Sequence, residues 1–228
     1  MGPVKFCGAK INSFFIFAKN NFKNFKMIND SKIKNLIFDL GNVIVELDVN
    51  RSVKCFGSEI YAVFSDKMKT EFVELAHKFE RGEVSSDYFR KMVSQMYEIE
   101  ISDEKFDECW CAMIKTIPDN RKKMLRELKK KYKVIALSNI NEIHYDFLLK
   151  SNFWEAYLFE KVYFSHLLGM RKPEIEIYEY VLTENDMKPE ETLFFDDLKE
   201  NVEAAKKLGI NSILVDTEIL KIVEEMFV

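Results

Sequence analysis

Short apolar runs that stop abruptly at a carboxylate or hydroxyl side chain recur along this chain, and stretches of helical periodicity separate them. The first run is Leu36-Ile37-Phe38, which ends at Asp39 and is followed at once by the turn-forming pair Gly41-Asn42. A continuous apolar run between polar flanks suits a strand covered on both faces, and Gly-Asn marks a turn. The pattern returns in Val134-Ile135-Ala136-Leu137 before Ser138-Asn139, and in Val162-Tyr163-Phe164. It returns again in Thr192-Leu193-Phe194-Phe195 before Asp196-Asp197, and in Ser212-Ile213-Leu214-Val215 before Asp216. Helical stretches lie between the runs: one from about Asn141, one through Ile177, Tyr178 and Val181, and one through Leu198, Val202, Ala205 and Leu208 with Gly209 as C-cap. Strands alternating with helices predict an α/β fold, a Rossmann-like parallel sheet with helices on both faces.

One long block interrupts this alternation. Between about Ser52 and Ile117 the apolar spacing is helical only: Phe72, Leu75 and Phe79 form one stripe, and Phe89, Val93 and Met96 another, with Ser85-Ser86 offering an N-cap before the second. The expectation is an inserted helical cap of about four helices over residues 51–117, on a core formed by 31–50 and 118–228. A helix opening at Pro118-Asp119 resumes the core and ends in Lys129-Lys130-Lys131, read as a solvated run complementing the helix C-terminus.

Composition narrows the function. The chain has 228 residues, enough for one domain with a sizeable insert, and a formal net charge of −4, which does not suit a nucleic-acid binder. The four cysteines, Cys7, Cys55, Cys109 and Cys111, suggest no disulfide framework, hence a reducing compartment and a cytoplasmic protein. Cys109 and Cys111 read as packed helix residues, because no second Cys or His cluster partners them for a metal. Residues 1–30 are expected to be a disordered basic extension; no acid precedes Asp30, and Phe14-Phe15-Ile16-Phe17-Ala18 is too short to span a membrane. We read its first 26 residues as sequence ahead of a start at Met27, in preference to a transit or surface-binding segment.

In a parallel α/β sheet, ligands bind at the carboxyl ends of the strands. Here those ends carry Asp39, Ser138-Asn139 and Asp196-Asp197. Two unit charges about 4 Å apart repel by roughly 4 kcal/mol at an effective dielectric near 20. A carboxylate cluster therefore calls for a cation, and Mg²⁺, which keeps waters and pairs with phosphate, is the natural choice. Lys172 adds positive charge just before a helix read as opened by Pro173. Adjacent strand residues point to opposite faces, so one of Asp196 and Asp197 is expected to ligate the ion while the other holds Lys172.

Four segments, Phe38-Asp39-Leu40-Gly41-Asn42-Val43, Leu137-Ser138-Asn139, Arg171-Lys172-Pro173-Glu174 and Phe194-Phe195-Asp196-Asp197 with Asn201 beyond, occur in the order seen in one family. From about Lys34 to Val215 the chain resembles the haloacid dehalogenase (HAD) superfamily of hydrolases, whose helical cap of the C1 type follows the first strand. The branch with Asp-Leu-Gly-Asn-Val is most similar; it includes a bacterial α-D-glucose-1-phosphate phosphatase and resembles the phosphatase domain of soluble epoxide hydrolases. Also similar are Glu80-Arg81-Gly82-Glu83, Asn141, His144 and Leu168-Gly169-Met170.

The resemblance implies a Mg²⁺-dependent phosphatase acting on a small phosphorylated substrate, with a sugar phosphate such as a hexose 1-phosphate as the expected choice. Asp39 and Lys172 are the implied catalytic residues, with Asp39 forming an aspartyl-phosphate. Ser138, Asn139 and Lys172 are implied to bind the substrate, and Asp39, Gly41, Asp197 and Asp196 are the metal candidates. Gly41 stands where most phosphatases of the superfamily carry a second Asp as general acid and base, which leaves water, Glu46, Asp48 or His144 to supply the proton. A dehalogenase using the same nucleophile, and a weakly active phosphate-binding protein, are the competing readings. No membrane partner is expected; the oligomeric state is open, with a monomer compatible.

Overall fold

The protein is described here from a computed structural model covering residues 32–57, 66–150, 156–216 and 218–227. The basic extension expected at 1–30, with Cys7, lies outside these residues.

The five expected strands form: β1 (Asn35–Phe38), β2 (Lys133–Ser138), β3 (Lys161–Phe164), β4 (Thr192–Asp196) and β5 (Asn211–Leu214). They make one parallel sheet in the order β3-β2-β1-β4-β5. β1 is therefore central, and the connections reverse direction around it, the place where open α/β sheets bind ligands. Register brings the strand ends level. Phe38 pairs with both Ala136 and Phe195, so Asp39 follows alongside Leu137 and Asp196.

Period-2 alternation splits the sheet's apolar residues between two layers. Leu36, Phe38, Val134, Ala136, Leu193 and Phe195 pack with α5 (Asp119–Leu128) and α10 (Ile219–Phe227). Ile37, Ile135, Leu137 and Phe194 pack with α8 (Ile175–Glu184) and α9 (Lys199–Lys207). Phe38 and Phe195 stack with ring centroids 4.6 Å apart, fixing β1 against β4 directly beneath their terminal carboxylates.

The interruption after β1 is helical, as the spacing predicts. Its helices are α1 (Val49–Phe56), α2 (Asp66–Glu80), α3 (Ser86–Tyr97) and α4 (Asp103–Cys111). Ser85 and Ser102 cap α3 and α4 through their hydroxyls, on Tyr88 N and Lys105 N. Leu75, Phe79, Phe89, Val93 and Phe106 form a separate apolar cluster within the insert. The chain leaves and rejoins the core through two paired segments: Glu46 N donates to Thr116 O (2.9 Å), Lys115 N to Glu46 O (3.0 Å) and Asp48 N to Met113 O (2.8 Å).

Two expectations are corrected. Cys55 on α1 and Cys109 on α4 are joined in a disulfide, although they are 54 residues apart in sequence. The paired segments lay α1 beside α4, a tertiary contact that cysteine spacing does not encode. Cysteine usage thus no longer argues for a reducing compartment; Cys111 is free and buried. Pro173 does not open a helix either: α8 begins at Ile175 behind Glu174, and the Lys172–Pro173 peptide is cis. Among the described residues no helix is long and apolar enough to cross a membrane.

Candidate active site

β1 ends at a tight turn that returns the chain over its own last residue. Ile44 N and Val45 N both donate to Leu40 O, at 2.9 and 2.7 Å, and Asn42 sits in the left-handed region at φ 56°. Asparagine tolerates that conformation. The turn holds Asp39 at the floor of a cavity of about 290 Å³, lined at one end by Asp39, Gly41, Asn42, Ser138, Asn139, Lys172 and Asp197. Leu47, Met113, Ile114 and Leu148 form an apolar wall, and Glu80, Arg171 and His144 complete it. Of the residues proposed from sequence, Asp39, Gly41, Ser138, Asn139, Lys172 and Asp197 meet here.

Lys172 is 1% exposed, and its ammonium is fully engaged. Nζ donates to Asp39 Oδ1 (2.6 Å), Asp196 Oδ2 (2.6 Å) and Leu137 O (2.8 Å), and lies 5.4 Å from the Phe194 ring centroid. An ammonium has three N–H donors, so none is left over. Burial alone would lower its pKa, but the charges of Asp196 and Asp39 outweigh this and hold it above the usual lysine value. Its backbone is equally fixed: Asn139 Oδ1 accepts from Lys172 N (2.9 Å), and Asn139 Nδ2 donates to Lys172 O (2.8 Å). The carboxamide of Asn139 is therefore spent on Lys172.

The two motif acids separate as alternation requires. Asp196 is fully buried, with Oδ2 on Lys172 and Oδ1 accepting from Leu198 N (2.8 Å) and Asn201 Nδ2 (2.9 Å). It does not line the cavity, and both its oxygens are occupied, one of them by Lys172. Asp197 lines the cavity and accepts from Asn42 Nδ2 at 3.0 Å.

The charges do not balance. One ammonium serves Asp39 and Asp196, with Asp197 nearby. The Asp39 carboxyl is raised to about 7: burial is the largest cause, Lys172 pulls against it, and Asp196 adds to it. Burial also raises Asp197, with Asp196 adding and the Asn42 hydrogen bond opposing. A surplus of negative charge between oxygen donors suits a hard divalent cation. Asn201 adds a second sign: its Oδ1 is buried beside the cavity without a hydrogen-bond partner, as an acceptor for a metal-bound water would be. Among the described residues no three His, Cys, Asp or Glu side chains are arranged to hold an ion by themselves. A backbone carbonyl, water and phosphate oxygens would have to complete the shell, which matches the habit of Mg²⁺.

None of the side chains considered as proton donor is poised for it. Glu46 is half-buried and paired with Lys115 (2.9 Å), whose hydrogen bond and charge keep its carboxyl below the usual range. Asp48 caps α1 through Asn50 N (3.1 Å). His144, on α6 (Glu142–Lys150), is half-buried, and desolvation pushes its pKa down to about 4, with Trp110 O opposing the shift. Its ring is engaged at both nitrogens, Nε2 with Trp110 O (3.1 Å) and Nδ1 with Asn141 Nδ2 (3.3 Å). The ring is therefore neutral and occupied near pH 7.

Sequence inspection does not pair the charges around Lys172. Arg171 Nε donates to Glu80 Oε2 (2.8 Å) and Arg81 Nε to Glu174 Oε1 (2.6 Å), joining the insert to the core. The only signal in the sequence is that Glu80-Arg81 and Arg171…Glu174 each carry both signs.

Comparison with known proteins gives a consistent picture. A family model described as haloacid dehalogenase-like hydrolase matches residues 36–215. The D-ribitol-5-phosphate phosphatase of Bacteroides thetaiotaomicron is 29% identical over 187 residues, covering 79% of this chain and 90% of that protein. A sesquiterpene phosphatase of Aspergillus oryzae is 32% identical over 196 residues, covering 78% of this chain and 87% of its own. The crystal structure of a HAD family enzyme from Bacteroides thetaiotaomicron, in complex with magnesium and inorganic phosphate, superposes with a TM-score of 0.70 at 32% identity, covering 80% of this chain and 93% of that one.

Proposed function

This chain belongs to the haloacid dehalogenase-like hydrolase family, and within it we propose that it is a Mg²⁺-dependent phosphatase cleaving a small phosphomonoester through an aspartyl-phosphate on Asp39. One observation carries the reading. Asp39 is the carboxylate that both lines the cavity and is held by Lys172, with one oxygen fixed at 2.6 Å and the other left to attack. Asp39 attacks phosphorus, the P–O bond to the leaving group breaks, and water then cleaves the acyl phosphate to free Asp39 and inorganic phosphate. Ser138 and the backbone at Asn139 bind phosphate oxygens. Lys172 fixes the attacking carboxylate and offsets charge developing beside it. Asp39, the Gly41 carbonyl and Asp197 would hold Mg²⁺, whose charge neutralises the phosphate oxygens when it is bound. Two of the relatives are phosphatases by name, and the structure superposed above is that of a magnesium and phosphate complex.

The substrate follows from size and from Gly41. A cavity of about 290 Å³ lies at the small end of ligand sites. The leaving oxygen receives no proton from residue 41, and general acid catalysis is worth about 10²- to 10⁴-fold. A leaving group that departs without full protonation suffers least, which favours an anomeric phosphate such as a hexose 1-phosphate. The test is phosphate release from a panel of alkyl, polyol, prenyl and anomeric phosphates, with and without Mg²⁺. We expect Asp39→Asn to lower kcat by on the order of 10³-fold or more, the scale on which loss of a nucleophile acts. Turnover should also require the metal and be fastest on anomeric esters. Metal-independent halide release from haloacids would replace the phosphatase by a dehalogenase, and equal turnover of alkyl and anomeric esters would remove the substrate class.

A further inference from the structure

The segment that presents Lys172 is gripped from the helical insert. Glu80, the last residue of α2, takes Arg171 Nε at 2.8 Å, and Arg81, the next residue, donates Nε to Glu174 Oε1 at 2.6 Å. Arg81 also pairs with Glu174 through its second guanidinium nitrogen. The pairs cross from insert to core with opposite polarity. An exchange of partners would set Glu80 against Glu174 and Arg81 against Arg171, so this pairing is the one that matches all four charges. Arg171 and Glu80 side chains are 9% and 25% exposed, and Arg81 and Glu174 25% and 30%; these are not freely solvated surface pairs.

A separate contact fixes the same register. Gly82 has φ +69°, and a Cβ placed on it would lie 2.5 Å from the backbone oxygen of His166, on the core helix α7 (Ser165–Leu168). The insert's turn thus rests on core backbone with no room for a side chain.

The grip extends to the reacting carboxylate through hydrogen bonds. Glu174 uses its second oxygen, Oε2, to accept from Arg171 N (3.0 Å), and Glu174 N donates to Arg171 O (2.9 Å). Burial would raise the Glu174 carboxyl, but hydrogen bonds from Arg81 and the Arg171 amide hold it below its ordinary range, so it stays an anion. Lys172 lies between these bracketed residues and delivers Nζ to Asp39.

We propose that Glu80, Arg81, Arg171 and Glu174 form a keyed ionic clasp that seats the helical insert and, through Glu174, positions Lys172 against Asp39. The inference rests on the phosphatase reading for its consequence on rate. The four residues are positioning residues: a phosphoryl group held at Asp39 is served by them through Lys172. Arg81 and Glu174 do not line the cavity, so substrate affinity gives no direct reason for their effect.

The experiment uses the full chain with Mg²⁺ and p-nitrophenyl phosphate as probe, in wild type, Arg81→Ala, Arg81→Lys, Glu174→Gln, the Arg81→Ala/Glu174→Gln double variant and Arg90→Ala. Arg90 binds Asp107 at 2.8 and 2.7 Å inside the insert, which makes it a control for general loosening of the helices. Arg81→Ala and Glu174→Gln should each lower kcat about 10-fold with KM changed less than about 2-fold. The double variant should be no worse than either single one, as coupled neighbours behave, and Arg81→Lys should recover part of the loss. Hydrogen exchange supplies a readout independent of turnover: the amides of Arg171, Lys172 and Glu174 should exchange about 10-fold faster in Arg81→Ala and unchanged in Arg90→Ala. A change in KM alone, additive losses, or unchanged exchange at those amides would overturn the clasp. A wild type that does not hydrolyse the ester would remove the phosphatase reading, and the exchange comparison by itself would then support or overturn the clasp.

Discussion

At the scale of single residues, Gly41 separates this site from one with its own proton donor. Its backbone lies outside the left-handed region, so a side chain is sterically permitted there. A Cβ would meet Leu47 Cδ1 at 3.0 Å, the far end of a flexible side chain, and Asp39 Oδ2 at 3.8 Å. Gly41→Asp should thus fold and bring an acid beside Asp39, the proposed nucleophile. We expect its kcat ratio of alkyl to anomeric phosphate to rise by on the order of 10-fold or more, given what general acid catalysis contributes. Steady-state kinetics on one ester of each class checks this; an unchanged ratio would mean that protonation of the leaving group does not limit the reaction. The site's acids were legible from sequence because each ends an apolar run. So was a division of labour between Asp196 and Asp197; which acid takes which part was not. Asp196 and Asp197 are neighbours in the chain, and the placement of the strand shows that Asp196 binds Lys172 while Asp197 faces the cavity. Asn139 reads as a phosphate ligand, yet its carboxamide closes on Lys172's backbone, a partner 33 residues away.

At the scale of elements, the strands and insert helices were legible because burial on both faces and on one stripe leave different spacings. Contacts between elements were not, and the junction of α6 with α4 shows why. His144 follows Ser138 in sequence and reads as a candidate acid, but it is spent on joining two helices. Its ring stacks on Trp110 with centroids 5.5 Å apart, and Nε2 bonds the Trp110 carbonyl. This junction has a pH signature. Burial holds His144 near pKa 4, below the ordinary 6.5, so between those values the unfolded chain takes up a proton that the folded chain refuses. Wild type should therefore lose stability from this group as pH falls from about 6.5 towards 4. His144→Gln removes the titration. Its deficit relative to wild type at pH 7 should shrink by about 2–3 kcal/mol by pH 4, an upper bound set by the shift. Denaturant melts of both proteins at pH 7, 5.5 and 4 give the comparison; parallel stability curves would refute the neutral assignment. The disulfide between α1 and α4 escaped for the same reason as His144, since both depend on which helices lie side by side.

At the scale of the whole molecule, the site is built from segments spread over most of the chain, and the metal and phosphate would tie them together. Ligands that bind only the folded state stabilise it by mass action. Mg²⁺ with inorganic phosphate, each at about 100 times its dissociation constant, should add roughly 2–3 kcal/mol per site for wild type, and little for Asp197→Asn. Thermal melts with and without the two ions test this, and equal shifts for both proteins would place the ion elsewhere. Topology has one further consequence. Because Glu46 bonds to Thr116 and Lys115 back to Glu46, the helical block departs from and returns to a single spot beside β1. To the sheet it is a cassette: whatever its length or helix count, the ends of the core stay where they are, since neighbouring ends are what make an insertion tolerable. The catalytic floor and the roof over it can therefore diverge independently, one held to phosphate chemistry and the other free to be exchanged for a different clientele.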